Sequence, residues 1–382
     1  MAVYKIFPYK DTTLYSYYPA MNAGIDAISE IYNSITLNGT PEISRFLTQF
    51  DSTEITDIID NKINGLTWTV NYKSFVATAQ GIAAEYTTET FPIAQNWNNG
   101  TGEYLDSPQT ADGASWIYAS YSGSNPWSIG GNFGTELYTS SYDSTYVVQG
   151  GGNWFYSGSG VSSYRVTQSF DLRSDKDLDI EVKTIVSKWY SGSLPNYGFI
   201  TKWSSSLEFN TSSYVQPILK YYSVDTNTIY PPYLEFKWRD YSTVLTGSLT
   251  GSIVNTSNLK MALNENPGTF FPSSINRFRI NISPLYPTRT FQTTSYFTDL
   301  NFLPTSSYFA IKDLDTNEFV INFDDQYTQI SSDSNGNYFD VYMSGLEPER
   351  YYQILIKTII NGSTIIFDDQ YYFKVINGWA KI

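Results

Sequence analysis

Period-two alternation limits what this chain can fold into more than any other feature. Within residues 66–94, LTWTVNYKSFVATA and AAEYTTETFPIA set apolar against polar side chains at every second position and break at Gln80-Gly81. A strand sends successive side chains to opposite faces, so such a run buries one face and wets the other. Two antiparallel strands are the natural reading. Composition extends the reading along the chain: aromatics make up 17% of it, with 34 Tyr and 23 Phe, while charged residues are 16%. Soluble domains usually carry roughly 25% charged residues. Tyr, Thr, Val, Ile and Phe all favour pleated strands, so the expected class is all-β. At 382 residues the chain has room for two domains.

Two residue types are missing, and their absence excludes much chemistry. With no Cys and no His, thiolate and imidazole nucleophiles, histidine bases, disulfides and the usual zinc sites are ruled out. The formal charge of −14 disfavours phosphate backbones and anionic membrane surfaces, which are held through clustered Lys and Arg. Neither a nucleic-acid partner nor a membrane is expected. The opening residues MAVYKIFPYKDTT lack the apolar core of a secretory signal, and no 18-residue apolar run occurs. Synthesis in a cytoplasm, with no signal peptide, is the expectation.

The stretch Phe91–Gly134 places Trp97, Trp116 and Trp127 among loops dense in Gly, Asn, Ser and Asp. Large aromatics bury the most area, while those small polar residues allow tight turns, so a rigid loop platform is expected. Earlier in the chain, Ile25, Ile28 and Ile31 permit a short helix, and the alternation Ile25, Ala27, Ser29, Ile31 permits a strand; the strand is favoured. DSTEITDIIDNKING reads as a helical turn capped by Thr53 or Ser52, with Glu54 and Asp57 in its first turn. Gly150–Gly152 lacks the pattern and lysine of a phosphate loop and reads as a hairpin or bulge. LDIEVKTIVSKW fits a helix face through Leu178, Val182, Ile185 and Trp189, and a strand through Ile180, Val182 and Thr184. In NRFRINISPLYPTRTF, Arg277 and Arg279 alternate with Phe278 and Ile280, giving a strand with one polar face, and Arg289 follows. These arginines form either a solvated face or a salt-bridged contact with another subunit.

Taken as a set, Trp97, Gly100, Thr101, Gly102, Ser107, Pro108, Gly113, Trp116, Trp127, Val186, Trp189, Gly192, Asn196 and Gly198 resemble the DNRLRE-type domains. That family is a β-sandwich with a W-x-x-G-TG loop, an SP…G-x-W segment and a later V-x-x-W-x-x-G…N-x-G segment. The likeness spans roughly residues 10–240, as far as PPYLEFKW. It departs from the family in having no secretion signal and in inserting about 50 residues after NPW, far beyond the usual short connections. Further on, Asp315-Thr316-Asn317, Asn335-Gly336 and Asn361-Gly362 separate alternating runs, and Asn-Gly is a strong hairpin signal. Leu346, Pro348 and Tyr352 in SGLEPERYYQILIKT resemble the fibronectin type III turn before a long strand. The resemblances imply a jelly-roll-like antiparallel β-sandwich with long loops over residues 1–300, followed by a smaller immunoglobulin- or fibronectin-like β-sandwich over 301–382. That module order is similar to structural proteins of tailed bacteriophages.

Carboxylates are the one catalytic resource left. FDDQY occurs twice, and Asp324, Asp325, Asp368 and Asp369 could bind calcium if equivalent strand ends brought them together. Asp-Asp at a strand end is more commonly a turn former, and no calcium-loop spacing is present, so neither metal nor cofactor is expected. Trp97, Trp116 and Trp127 could stack on sugars, although burial is the commoner fate of Trp in a β-domain. The expected role is a non-enzymatic virion protein of a tail, baseplate, neck or fibre, contacting other virion proteins and copies of itself. A carbohydrate-binding module for host-surface glycans is the alternative. The apolar end Val375–Trp379 would dock into a neighbour.

Overall fold

A computed structural model describes residues 2–35, 41–82, 84–128, 150–158, 160, 162–208, 210, 217–243, 251–264, 266–286 and 300–377. The chain is all-β, built of mainly antiparallel sheets with a few short helices, and Thr269–Phe270 and Gly251–Ile253 each add a parallel pairing. It divides into two units. The larger contains Ile6–Lys62 and Val70–Glu235, and the smaller contains the residues up to Lys5, Ile63–Thr69 and everything from Phe236 onward.

An 8-stranded sheet organises the larger unit. Its strands are Lys10–Tyr15 (β1), Ile28–Ile35 (β2), Pro41–Gln49 (β3), Val76–Gln80 (β4), Tyr86–Pro92 (β5), Val166–Phe170 (β6), Phe199–Trp203 (β7) and Ile218–Tyr222 (β8). The spatial order is β6-β5-β7-β3-β2-β8-β4, with β1 also paired to β3. The alternating run from Trp68 is one strand at first and then changes partner. Asn71–Ser74 pairs with Glu181–Leu178, whereas β4 pairs with β8. At the break the Asp177 carboxylate accepts from the Val76 amide at 2.8 Å, so residues 66–94 yield three strands instead of two. The strand favoured for Ile25–Ile31 is present only from Ile28, as β2, with Ile25 in a turn, and both readings of LDIEVKTIVSKW hold in succession. Leu178–Glu181 is strand and Lys183–Tyr190 is helix, with Ile185, Val186 and Trp189 buried. The helix predicted after Phe50 spans Ser52–Asp57, but its cap is Asp51, whose carboxylate accepts from the Thr53 amide at 2.7 Å. Asp57 lies at the helix end, where it pairs with Lys62 at 2.6 Å.

The tryptophan loops are tied together by Asn22. Its side chain donates to the carbonyls of Asn99 (2.6 Å) and Ala114 (2.8 Å) and accepts from the amides of Gly24 (3.1 Å) and Gly102 (2.9 Å). A Cβ at Gly113 would lie 2.4 Å from the Asn99 carbonyl oxygen, so this close approach requires glycine. Asn22→Ala should therefore cost roughly 3 kcal/mol, because several buried groups lose their partners together. A urea titration with an unchanged slope and a lower midpoint would register it.

In the smaller unit two sheets face each other across one core. Leu259–Asn264 (β9), Thr269–Phe270 (β10), Ile275–Pro284 (β11), Ser307–Asp313 (β12), Phe319–Ile321 (β13), Ser331–Asp333 (β14), Gly336–Tyr342 (β15), Tyr351–Ile360 (β16) and Ser363–Val375 (β17) supply the strands. The sheets run β9-β11-β15-β14 and β10-β17-β16-β12-β13. Phe339 of the first stacks on Phe309 of the second at 4.4 Å, and Phe278 meets Phe373 at 5.7 Å. Two-residue loops close both expected Asn-Gly hairpins. Asn361 and Gly362 take φ of 50° and 79° between Ile360 and Ser363, and Ser334-Asn335 joins Asp333 to Gly336. The boundary expected at residue 300 falls inside this unit, since β11 pairs with β15, some sixty positions later in the chain. Nor are the two FDDQY strings equivalent. Asp324 accepts from the amides of Gln326 and Tyr327 in a turn, while Phe367–Tyr371 lies within β17.

Candidate interaction surfaces

Trp97, Trp116 and Trp127 are core residues, exposed by 1%, 1% and 5%. They pack with Leu47, Phe91, Trp154 and Ile200. The Trp97 indole N–H donates to the Tyr197 carbonyl and that of Trp127 to the Ser115 carbonyl, each at 2.9 Å. Their faces are not open to a sugar, so the burial reading holds. Lys10 lies 4.2 Å from the centre of the Trp97 ring and donates to its carbonyl at 2.5 Å, and burial lowers its pKa to about 8.

Arg277 and Arg279 project from β11 onto carboxylates of their own chain. Arg277 is bidentate to Asp340, both bonds 2.8 Å, and lies 4.0 Å from the Tyr338 ring centre; hydrogen bonding to Asp340 raises its pKa. Arg279 is bidentate to Asp333, both bonds 2.9 Å. Of the two readings, a solvated face or a salt-bridged contact with another subunit, the described guanidinium forks show neither outright: both are occupied by carboxylates across their own sheet. Arg289 and Trp379 lie outside the described residues.

A buried charge network runs through the larger unit's sheet. Arg45 on β3 is bidentate to Glu208 (2.9 and 3.2 Å) and donates to the Gly151 carbonyl at 2.5 Å. Its guanidinium lies 4.8 Å from the Trp116 ring and 5.3 Å from that of Trp154. Lys202 on β7 reaches Glu89 at 3.0 Å and Glu208 at 3.6 Å. Arg45, Lys202 and Glu208 have no solvent-exposed side-chain surface. Gly150–Gly152, expected as a hairpin or bulge, brings its backbone against this network. No substrate-sized opening is needed to explain it, because the opposite charges satisfy one another.

Two surfaces that motif reading did not find are more accessible. The first surrounds Glu30, whose carboxylate is nearly buried and pairs with Lys220 at 2.8 Å; the two stand opposite each other on β2 and β8. Tyr15 and Tyr32 pack at 6.2 Å, Tyr15 and Tyr104 at 4.9 Å, Tyr18 and Tyr104 at 6.1 Å, and Tyr17 and Tyr18 at 4.7 Å. Tyr17, Tyr104 and Leu105 are exposed, the last by 86%. Burial first, and then the charge of Glu30, raises the pKa of Tyr15, Tyr32 and Tyr104, so these phenols stay protonated donors. The Tyr104 loop is held by the Asp26 carboxylate, which accepts from its amide at 3.0 Å. The sequence signal was Tyr15, Tyr17 and Tyr18 within four residues, but Tyr104 joins them from a distant loop.

The second surface is the outer face of the smaller unit's 5-stranded sheet. Register places Phe319, Lys312, Gln353 and Tyr372 in one row, and Tyr308, Lys357 and Ile366 in another. Phe319, Tyr351, Ile359, Ile366 and Tyr372 are exposed. The Lys357 ammonium lies 5.0 Å from the Tyr308 ring and 4.9 Å from that of Phe323. An outer sandwich face is ordinarily polar, and this one sets exposed aromatic and aliphatic side chains among Lys312, Gln353 and Lys357.

Among the described residues no group of three or more acidic side chains is placed to hold a metal ion. Asp324–Asp325 and Asp368–Asp369 do not form such a group. Nor is any described helix long and apolar enough to cross a membrane. No protein-family model matches the chain, and a search of curated proteins finds no match to it.

Proposed function

We propose that this chain is a non-enzymatic structural protein of a tailed-bacteriophage virion, a tail, baseplate, neck or fibre component that works by assembling with other virion proteins and with copies of itself. The observation that carries this reading is the apolar outer face of the 5-stranded sheet, where Ile359, Ile366, Tyr372 and Phe319 face solvent beside Lys357. Exposed contiguous apolar surface is costly to a lone soluble domain and is characteristic of protein contact sites. Aromatic-rich centres with polar rims mark such interfaces. The DNRLRE-like and fibronectin-like readings belong to the same proposal. The fibronectin-like reading draws support from the two facing sheets of the smaller unit and from the Tyr352 hydroxyl, which donates to the Glu347 carbonyl at 2.9 Å and so braces the entry to β16.

The doubly substituted Ile359→Asp/Ile366→Asp chain should melt as the parent does, since both side chains already face water. Its incorporation into particles should fall by about tenfold or more, the scale of losing one well-packed contact. Quantitative mass spectrometry of density-purified particles measures this, and absence of the parent chain from such particles would end the proposal.

A further inference from the structure

We infer that the tyrosine cluster around Glu30 and Lys220 is a saccharide-binding site, separate from the assembly face. A pyranose offers an apolar C–H face and a ring of hydroxyls, so its recognition calls for flat rings together with a few fixed donors and acceptors. Here Tyr17, Tyr18 and Tyr104 form a braced, partly exposed aromatic rim. The Glu30 carboxylate and the Lys220 ammonium lie near it, 2.8 Å apart, with the lysine side chain 41% exposed. Tyr15 and Tyr32 flank the carboxylate.

This mixture favours a sugar over a protein partner. The centres of protein interfaces are depleted in Glu and Lys, because an ion pair loses hydration there without matched replacements. Saccharide hydroxyls both donate and accept, and they can replace that water on both ions. The rim is also ordered before any ligand arrives: Asp26 fixes Tyr104 through its amide, and the rings brace one another. Order present beforehand lowers the entropy lost on binding. Glu42 and Asp26 add negative charge beside the Glu30–Lys220 pair, which disfavours an acidic saccharide and leaves a neutral one.

The test is isothermal titration of the full chain with cellohexaose, maltohexaose, chitohexaose and mannohexaose. At least one should bind with a Kd below about 1 mM. Tyr104→Ala should weaken that binding by about tenfold, the scale of one lost aromatic contact, with an unchanged melting curve. Glu30→Gln, which keeps the shape and removes the charge, should weaken it as well. Tyr286→Ala, which truncates an exposed ring of the smaller unit, should leave it intact. Failure of all four sugars to bind at millimolar concentration, or binding indifferent to both Tyr104→Ala and Glu30→Gln, would overturn the inference. Particle incorporation should not respond to Tyr104→Ala, so the two proposals fail independently.

Discussion

Replacing Arg45 with methionine is expected to destabilise the larger unit by about 3–5 kcal/mol, the usual cost of removing one partner from a buried ion pair. The guanidinium has no exposed surface, and it supplies both hydrogen bonds to Glu208, at 2.9 and 3.2 Å. Methionine can fill much of the space between Trp116 and Trp154 but offers no charge. Glu208 would keep the Lys202 ammonium at 3.6 Å, yet that ammonium is already engaged by Glu89 at 3.0 Å. Arg45→Met/Glu208→Met should recover much of the loss, because apolar replacement of a whole buried pair is often neutral, and Lys202 and Glu89 remain matched. Urea denaturation of the three chains measures both effects. A single variant as stable as the parent would show that the network contributes nothing to the fold's stability.

Stability should also fall as pH rises from about 4 to about 8, and Asp11 is the cause. Its carboxyl is 2% exposed, and burial pushes its pKa up to about 8, with the charges of Asp225 and Asp26 adding to the rise. The Val224 amide, donating at 2.7 Å, opposes the rise without cancelling it. Below about pH 4 the group is protonated in both folded and unfolded chains and makes no difference. Between about 4 and 8 the unfolded chain releases the proton while the folded chain retains it, so unfolding gains ground until the folded group titrates. The whole effect is on the order of several kcal/mol. Lys10, lowered to about 8 by burial, acts in the opposite direction and above this window. Asp11→Asn keeps an oxygen for the Val224 amide and has no charge to bury. It should flatten the profile from pH 4 to 8 and raise the melting temperature at pH 8, and an unchanged slope would refute the assignment.

What was legible in the sequence was local. Alternation gave strands, Asn361-Gly362 gave a hairpin, and the competing patterns in Leu178–Trp189 each described half of what is there. Strand partners were not legible. β5 lies beside β6 and β7, which follow it by about eighty and about a hundred and ten residues, and no local pattern encodes such neighbours. The boundary at 300 failed for the same reason, since the partner of β11 is β15. The surfaces were harder still. Trp97 drew notice because it is large, and it is buried because it is large, whereas the Glu30 cluster draws on β1, β2, β8 and a loop. Asp51 escaped notice as a helix cap because Ser52 and Thr53 compete for the role on composition alone.

Val3, near the start of the chain, belongs to the same core as Phe309, Phe339 and Phe373. On the ribosome those partners emerge on the order of tens of seconds after it, at the usual rates of elongation. Ile6–Lys62 and Val70–Glu235 leave the exit tunnel long before the last strand does. The larger unit can therefore close first, while the rest of the smaller unit is still being translated. The smaller unit needs both its first strand and its last, and a fragment cut cleanly at Phe236 would lack Val3 from its core.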